Sequence, residues 1–203
     1  MPFLMANLIF IFHFYRIMKI FITRHGETLE NRAWIFQWHI DWTLSDDGIE
    51  QAKKLALRLS GEEIDIIYCS PLWRTKDTLK QIQEYKAATE VIFTRDLVER
   101  DAWDATWKKW DEVDFTVAKW VETNEALRKR AWEFLDEIMR NHSSWNILLV
   151  THWWFIKWLF AYIHNIPEPE MVWRYASNNC SLSLIEIEWS KLKEIYFNDT
   201  SHI

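Results

Sequence analysis

Residues 20–28 read IFITRHGET, an apolar run that ends abruptly in an arginine, a histidine and a glycine. The pattern predicts a short buried β-strand whose carboxyl end carries polar residues, which is where α/β proteins place ligands. At that end Arg24 offers a planar fork of donors for an anion, and His25 offers a group that titrates near neutrality. Gly26 would let the backbone come close to a bound molecule.

Two further polar groups follow predicted strands. Residues 148–152, LLVTH, form another apolar run that ends in a histidine, His152. Arg74 follows the predicted strand 64–69, which breaks at a Ser-Pro pair. Each of these residues alone has an ordinary structural interpretation, a solvated arginine or a buried histidine. Because the carboxyl ends of parallel strands meet at one edge of a sheet, together with Arg24 and His25 they predict a compact cationic pocket for a dianion such as phosphate.

The composition restricts the class of protein. The chain has 203 residues, 49% hydrophobic and 27% charged, which fits one globular domain. Its net charge of −6 gives no basic surface for nucleic acid, so we expect no nucleic-acid partner. Cys69 and Cys180 provide no disulfide framework; we interpret both as buried, inert thiols in strand-like runs and expect a reducing, cytoplasmic location.

Residues 1–17 are apolar but lack the charged start and the cleavage site of a secretory signal. They are also shorter than the roughly 20 apolar residues of a membrane span, so we expect no membrane partner. Met18 then begins the first strand. We interpret residues 1–17 as a mis-assigned N-terminal extension and residues 18–203 as a single domain; an N-terminal membrane anchor is the alternative.

Predicted strands and helices alternate along the chain, which indicates an α/β fold. Beyond the first strand, the predicted strands cover residues 64–69, 90–93, 146–151 and 181–188, the last of which we expect to be the final strand. The first predicted helix starts after the cap residue Ser45 and ends at Gly61. The other predicted helices cover residues 72–85, 124–141 and 154–164. Residues 29–44 are predicted as a loop, and residues 95–122 as a loop with a possible helix. The expected fold is a three-layer α/β/α sandwich, a mostly parallel central sheet with helices on both faces.

Four motifs in this order resemble the histidine phosphatase superfamily, the phosphoglycerate mutase-like fold, from Met18 to about residue 188. They are Arg24-His25-Gly26-Glu27-Thr28 with Asn31, Ser70-Pro71-Leu72 with Arg74 and Thr78, Leu97-Val98-Glu99-Arg100, and Val150-Thr151-His152.

The resemblance implies that His25 attacks phosphorus and carries the phosphoryl group as phosphohistidine. It implies that Glu99 protonates the leaving oxygen and later deprotonates water. The implied ligands of the substrate phosphate are Arg24, Asn31, Gln37, Arg74 and His152. No metal and no cofactor are expected, because cationic side chains take the role of a metal. The remaining histidines, which show no ligand spacing, are interpreted as ordinary: His13, His39, His142, His164 and His202.

The resemblance predicts an enzyme, a phosphatase that hydrolyses a phosphomonoester of a small metabolite. The alternative is a phosphoglycerate mutase, which passes the phosphoryl group between hydroxyls of a sugar acid. The chain is shorter than the mutases that it resembles and lacks room for their middle insertion, which favours the phosphatase. A second alternative is a catalytically impaired relative that only binds. The oligomeric state stays open, with a homodimer among the possibilities.

The sequence departs from the family in its glycines. It contains 3 Gly and 15 Trp, against about 14 Gly expected from average usage. The positions where the family pattern has glycine include Trp34, Trp38, Trp42, Trp73, Trp153 and Trp154. The simplest interpretation is a UGA codon that the source organism reads as glycine, at these positions and at most of the other nine tryptophans. The alternatives are a naturally tryptophan-rich enzyme or aromatic loops that bind sugars.

Overall fold

The computed structural model describes residues 17–101, 108–113, 122–142, 144–167, 175–188 and 191–203. The interpretation of residues 1–17 as an extension therefore lies outside the described residues, except for residue 17. Part of the predicted loop 95–122 lies outside them too. Within the described ranges, no helix has the length and apolar character needed to cross a membrane.

The part of the chain that the structure describes contains six strands and five α-helices, and their alternation agrees with the prediction. The strands are β1 Met18–Arg24, β2 Ile66–Cys69, β3 Glu90–Phe93, β4 Asn146–Thr151, β5 Leu182–Glu188 and β6 Lys191–Asp199. The helices are α1 Leu29–Arg32, α2 Asp46–Ser60, α3 Trp73–Ile82, α4 Asn124–Asn141 and α5 Trp153–Ile163. Short 3₁₀ turns cover Arg95–Leu97 and Trp110–Glu112.

Two elements differ from the prediction. Helix α1 lies in the predicted loop 29–44 because Thr28 caps it: the Thr28 side chain accepts from the Asn31 backbone, and the Asn31 side chain accepts from the Thr28 backbone. One helical turn is too short to show a hydrophobic period. Strand β6 follows the strand predicted to be last, so that prediction was wrong. It is a half-exposed edge strand without the buried apolar run that marked the other strands.

The sheet has the strand order β3-β2-β4-β1-β5-β6. The first four strands are parallel, β5 is antiparallel to β1, and β6 is antiparallel to β5, so the mostly parallel sheet is confirmed. Arg24 pairs with Thr151, and Cys69 pairs with Val150. The carboxyl ends of β1, β2 and β4 therefore meet at one edge, as the expected pocket requires.

Alternating side chains of the central strands enter two separate cores, which confirms the three layers. Ile20 and Ile22 pack with residues of α4 and α5 on one face. Phe21 packs with residues of α2 and α3 on the other face. Helix α5 is buried nearly all round, from Trp154 to Ala161, as its apolar sequence predicted.

Two glycines hold α2 against the loop that follows β1. A Cβ atom on Gly48 would lie 2.0 Å from the Glu27 carbonyl oxygen, and one on Gly26 would lie 2.6 Å from the Gly48 carbonyl oxygen. Neither position could hold a side chain without moving backbone. Ser45 caps α2 as predicted, since its side chain accepts from the Gly48 amide at 3.0 Å. The start of α2 therefore fixes the course of the chain just beyond His25.

Candidate active site

His25 lies at the end of β1 with its ring orientation set by two hydrogen bonds. Its Nδ1 donates to the Gly26 carbonyl at 2.8 Å, so Nε2 carries no proton and accepts from the Arg74 Nε at 3.3 Å. Burial, followed by the neighbouring Arg74 and Arg24 guanidinium groups, holds the pKa of His25 well below its usual range. His25 is therefore a neutral imidazole at neutral pH, with a defined tautomer and a lone pair on Nε2.

Of the two predicted arginines, Arg74 is buried and Arg24 is partly buried, and backbone carbonyls orient both. Arg74, in the first turn of α3, donates to the carbonyls of Ile40 at 3.1 Å and Trp38 at 2.7 Å. Arg24 donates to the Ser177 carbonyl at 2.7 Å, and among the described residues its buried Nε has no hydrogen-bond partner. Burial lowers the pKa of each guanidinium to about 10, so both remain charged at neutral pH. An anion at this point would meet two fixed positive charges.

His152 follows β4 and packs against His25, with the ring centroids 5.2 Å apart. Its Nε2 lies 2.8 Å from the Ser70 hydroxyl, and Leu72 N–H donates to that same hydroxyl at 3.4 Å. Burial, with Arg74 next in importance, holds the pKa of His152 well below its usual range. His152 is thus a buried neutral ring behind His25.

Glu99 is a buried carboxyl held by backbone donors. Its Oε1 accepts from the amides of Arg100 at 2.9 Å and Trp154 at 3.1 Å. Burial raises the pKa of Glu99 above its usual value, although Arg74 acts in the opposite direction. The Glu99 carbonyl accepts from His39 Nε2 at 2.7 Å, so His39, which sequence reasoning treated as ordinary, contacts the site.

Asn31 and Gln37 are both anchored on Thr28. Asn31 Oδ1 accepts from the Thr28 amide at 3.2 Å, and Gln37 Nε2 donates to the Thr28 hydroxyl at 2.6 Å. Helix α1 and the loop after it, a region where sequence reasoning found no periodicity, thus place both amides beside His25.

These side chains surround one cavity of about 820 Å³, a size typical of small-molecule sites. Of the seven residues predicted for the site, six line the cavity: Arg24, His25, Asn31, Gln37, Arg74 and Glu99. His152 does not line it and lies behind, against the His25 ring. In the ranges that the structure describes, no group of three or more metal-ligating side chains is present.

Sequence reasoning missed several residues of the site. Lys157 of α5 lines the cavity, its ammonium 4.2 Å from the centroid of the Trp153 ring, and burial lowers its pKa to about 8. Arg130 of α4 donates to the Val98 carbonyl at 2.9 Å and so holds the segment that carries Glu99. Asn179 donates to the His25 carbonyl at 3.0 Å. None of the three lies in one of the four motifs, and each belongs to a segment that is distant in sequence from His25.

Both cysteines are buried free thiols, as expected. Burial raises the pKa of Cys69 to about 12 and raises that of Cys180 further. Cys180 was predicted in a strand-like run, but it lies in a turn before β5 with φ 52°. Its amide donates to the Arg24 carbonyl at 3.1 Å.

Two of the tryptophans at expected glycine positions have left-handed backbones, Trp34 with φ 55° and Trp38 with φ 43°. Glycine adopts this conformation without steric cost, whereas other residues rarely do. Trp38 is also buried with an indole N–H that has no hydrogen-bond partner among the described residues. Trp153 and Trp154 line the cavity, where an indole takes up space. Trp103, Trp107 and Trp120 lie outside the described residues. The glycine interpretation stays a prediction, and these observations support it.

Replacing Trp34 with glycine is expected to raise the free energy of unfolding by roughly 1 kcal/mol, because the left-handed backbone strains any residue with a Cβ. The Trp34 side chain is 76% exposed, so its removal costs little packing. The matched control is Trp132→Gly in the interior of α4, which should lower the free energy of unfolding by about 1 kcal/mol or more. Urea denaturation of the three proteins measures both changes.

Loss of stability on Trp34→Gly comparable to that of the control would contradict the assignment of glycine at position 34. The gene offers an independent check of the recoding. UGA codons at positions 34, 38, 42, 73, 153 and 154 are expected, and UGG at 153 and 154 would refute the recoding. Peptide masses of the protein from its source organism then decide which residue is inserted.

This chain is similar to known proteins in sequence and in fold. The sequence profile of the histidine phosphatase superfamily (branch 1) matches residues 20–200. Phosphoserine phosphatase 1 from Hydrogenobacter thermophilus is 29% identical over 205 residues, which cover 92% of this chain and 95% of that protein. The adenosylcobalamin/alpha-ribazole phosphatase of Escherichia coli is 27% identical over 191 residues, which cover 84% of this chain and 90% of that protein.

A solved structure has the same fold. It is a phosphoserine phosphatase mutant from Entamoeba histolytica in complex with phosphoserine, with a TM-score of 0.82 at 23% identity, and the match covers 92% of this chain and 99% of that one. The profile match spans nearly all of the described residues and includes all seven predicted site residues, from Arg24 to His152. This chain therefore belongs to the histidine phosphatase superfamily, branch 1.

Proposed function

We propose that this enzyme hydrolyses phosphomonoesters of small metabolites and that His25 is its covalent nucleophile. The observation that carries the proposal is the state of the His25 ring. Its Nε2 is unprotonated and lies in a cavity beside the guanidinium groups of the buried Arg74 and the partly buried Arg24. The arginines that would bind a phosphate dianion also lower the pKa of His25 and keep its imidazole neutral. The same two groups therefore bind the substrate and keep the nucleophile in its reactive form.

In the first step His25 Nε2 attacks phosphorus and the bond from phosphorus to the ester oxygen breaks. Glu99, whose raised pKa favours the protonated form, donates its proton to the leaving oxygen. In the second step the Glu99 carboxylate takes a proton from water, and that water oxygen attacks phosphorus. The phosphorus–nitrogen bond breaks, phosphate leaves, and His25 recovers its lone pair.

The remaining side chains bind and stabilise the phosphoryl group. Arg24 and Arg74 supply fixed charge for its oxygens, and the Asn31 amide supplies a further donor. The Ser70 hydroxyl accepts from Leu72 and can donate to His152 Nε2. His152 Nδ1 is then a buried donor without a hydrogen-bond partner among the described residues, but because His152 does not line the cavity, its contact with the phosphoryl group stays a prediction.

The names of the relatives favour transfer to water over transfer to a second hydroxyl. Both curated relatives described above are named phosphatases, one for phosphoserine and one for an adenosylcobalamin/alpha-ribazole substrate. We therefore propose a small phosphorylated metabolite as the substrate. The alternative, phosphoglycerate mutase activity, would be supported if the phosphoryl group were recovered on a sugar acid instead of as inorganic phosphate. The cytoplasmic location and the homodimer stay predictions.

Hydrolysis of para-nitrophenyl phosphate is expected without added metal and with unchanged rate in the presence of a strong chelator. The physical reason is that guanidinium groups supply the positive charge at the phosphoryl oxygens. Release of para-nitrophenol before and after chelation measures this, in this chain and in a variant with glycine at 34, 38, 153 and 154. Loss of activity with chelator would indicate a metal. Phosphate binding without turnover in both proteins would support the binding-only alternative.

A further inference from the structure

The loop that precedes β5, residues 177–180, lines the cavity through Ser177, Asn178 and Asn179 and contacts the site residues there. The Ser177 carbonyl accepts from the Arg24 guanidinium at 2.7 Å, and the Cys180 amide donates to the Arg24 carbonyl at 3.1 Å. Between these two contacts the Asn179 side chain reaches His25 and Asn31. The loop therefore touches three of the residues that surround the phosphate position.

Both hydrogens of the Asn179 amide are used in these contacts. Nδ2 donates to the His25 carbonyl at 3.0 Å and to Asn31 Oδ1 at 3.1 Å. Asn31 Oδ1 also accepts from the Thr28 amide at 3.2 Å. A carboxamide has one acceptor oxygen and one NH₂ group. Because the oxygen of Asn31 is committed to two donors on the protein side, its NH₂ group is the end left for the cavity that Asn31 lines.

We propose that Asn179 is a positioning residue that holds the Asn31 carboxamide with its NH₂ group toward the phosphoryl group. The proposal rests on the proposed function, since it assigns Asn31 to the phosphate. Because Asn179 itself lines the cavity, a double variant with Asn31 separates its action through Asn31 from a direct contact with the substrate. Its loop is anchored on β6, because the Asn178 amide donates to Asn198 Oδ1 at 2.7 Å.

Loss of Asn179 is expected to change which end of the Asn31 carboxamide, the NH₂ group or the oxygen, faces the phosphoryl group. With only the Thr28 amide left as a donor to its oxygen, the Asn31 amide is held less firmly in this orientation. A turn by 180° would place its oxygen toward the phosphoryl oxygens, where acceptors repel each other. A transition-state donor is then replaced by a repulsive group. Removal of one such donor in other enzymes lowers kcat by roughly 10²–10³-fold.

The test uses Asn179→Asp, which keeps the shape of the side chain and replaces its donor with a carboxylate oxygen facing two acceptors. We expect kcat with para-nitrophenyl phosphate to fall roughly 10²-fold and inorganic phosphate to bind more weakly. In an Asn31→Ala background the same change should cost at most about twofold more, because Asn179 acts through Asn31. Asn165→Asp, in an exposed turn remote from the cavity, is the matched control and should leave kcat unchanged.

Full activity of Asn179→Asp, or losses that multiply independently in the double variant, would overturn the proposal. If circular dichroism shows that Asn179→Asp does not fold, Asn179→Ala takes its place under the same criterion. If the unsubstituted protein neither turns over substrate nor binds inorganic phosphate, the proposed function fails. The positioning of Asn31 by Asn179 can then still be tested by nuclear magnetic resonance, which measures hydrogen exchange of the Asn31 side-chain amide. The Asn31 side-chain amide should exchange rapidly with water and become protected in Asn179→Asp, where it turns toward the carboxylate; an unchanged exchange rate overturns the positioning.

Discussion

Replacing His25 with alanine is expected to abolish the phosphoenzyme and to lower kcat by on the order of 10⁶-fold, the effect of removing a covalent nucleophile elsewhere. The physical reason is that His25 lines the described cavity and offers there an unprotonated Nε2, whose lone pair lies beside both arginines. Rapid quenching with ³²P-labelled substrate measures the adduct. In the unsubstituted protein it should be labile in acid and stable in base, as a phosphohistidine is.

The matched control is His164→Ala. His164 is exposed in the turn after α5, pairs with Glu194 at 2.6 Å and does not line the cavity. Its removal should leave both the adduct and kcat unchanged. An active His25→Ala variant, or an adduct that survives acid, would contradict the nucleophile assignment. Such a result would point to a carboxyl or hydroxyl group as the acceptor of the phosphoryl group.

Replacing Glu99 with glutamine is expected to lower kcat by roughly 10²–10⁴-fold for alkyl phosphates, because their leaving oxygen needs a proton. The loss should be smaller for para-nitrophenyl phosphate, whose leaving group departs as a stable anion. Steady-state rates with both substrates measure the difference. Equal losses for all substrates would assign Glu99 a role in binding or folding. Glu133→Gln on the exposed face of α4 is the matched control and should have no effect.

The pH dependence offers a second view of Glu99. Burial raises its pKa, so the protonated, proton-donating form exists below that raised pKa and is lost as pH rises through it. The rate with alkyl phosphates should therefore decline on the alkaline side of that pKa. Glu99→Gln, which cannot titrate, should lack the decline. A decline that persists in the variant would belong to a different group.

Much of the site could be predicted because its residues lie directly at strand ends or in short motifs. His25 and His152 follow apolar runs that only a strand would contain, and Arg74 follows a Ser-Pro break. Their convergence then follows from the parallel pairing of β1, β2 and β4. Glu99 could not be found in this way and required the resemblance, since it lies in a segment without period.

The residues that support the site were not predictable for a physical reason. Asn179 lies 154 residues after His25 in the chain, and Arg130 lies 32 residues after Val98. Both donate hydrogen bonds to backbone carbonyls. Because every residue has a backbone carbonyl, no residue pattern in the sequence indicates which one accepts. Strand β6 escaped prediction because half-exposed edge strands lack a buried run. Helix α1 escaped because a single capped turn has no period to detect.

The position of β1 in the sheet has a consequence for how the enzyme is made. This strand lies between β4 and β5, whose residues leave the ribosome long after its own. Until both partners are synthesised, the edges of β1 remain unpaired and aggregation-prone. Contacts between such distant segments also slow folding, since a long loop must close before they form. His25, the proposed nucleophile, is thus synthesised early and is among the last groups to reach its final position, so we expect catalytic activity to appear only when the whole domain has folded.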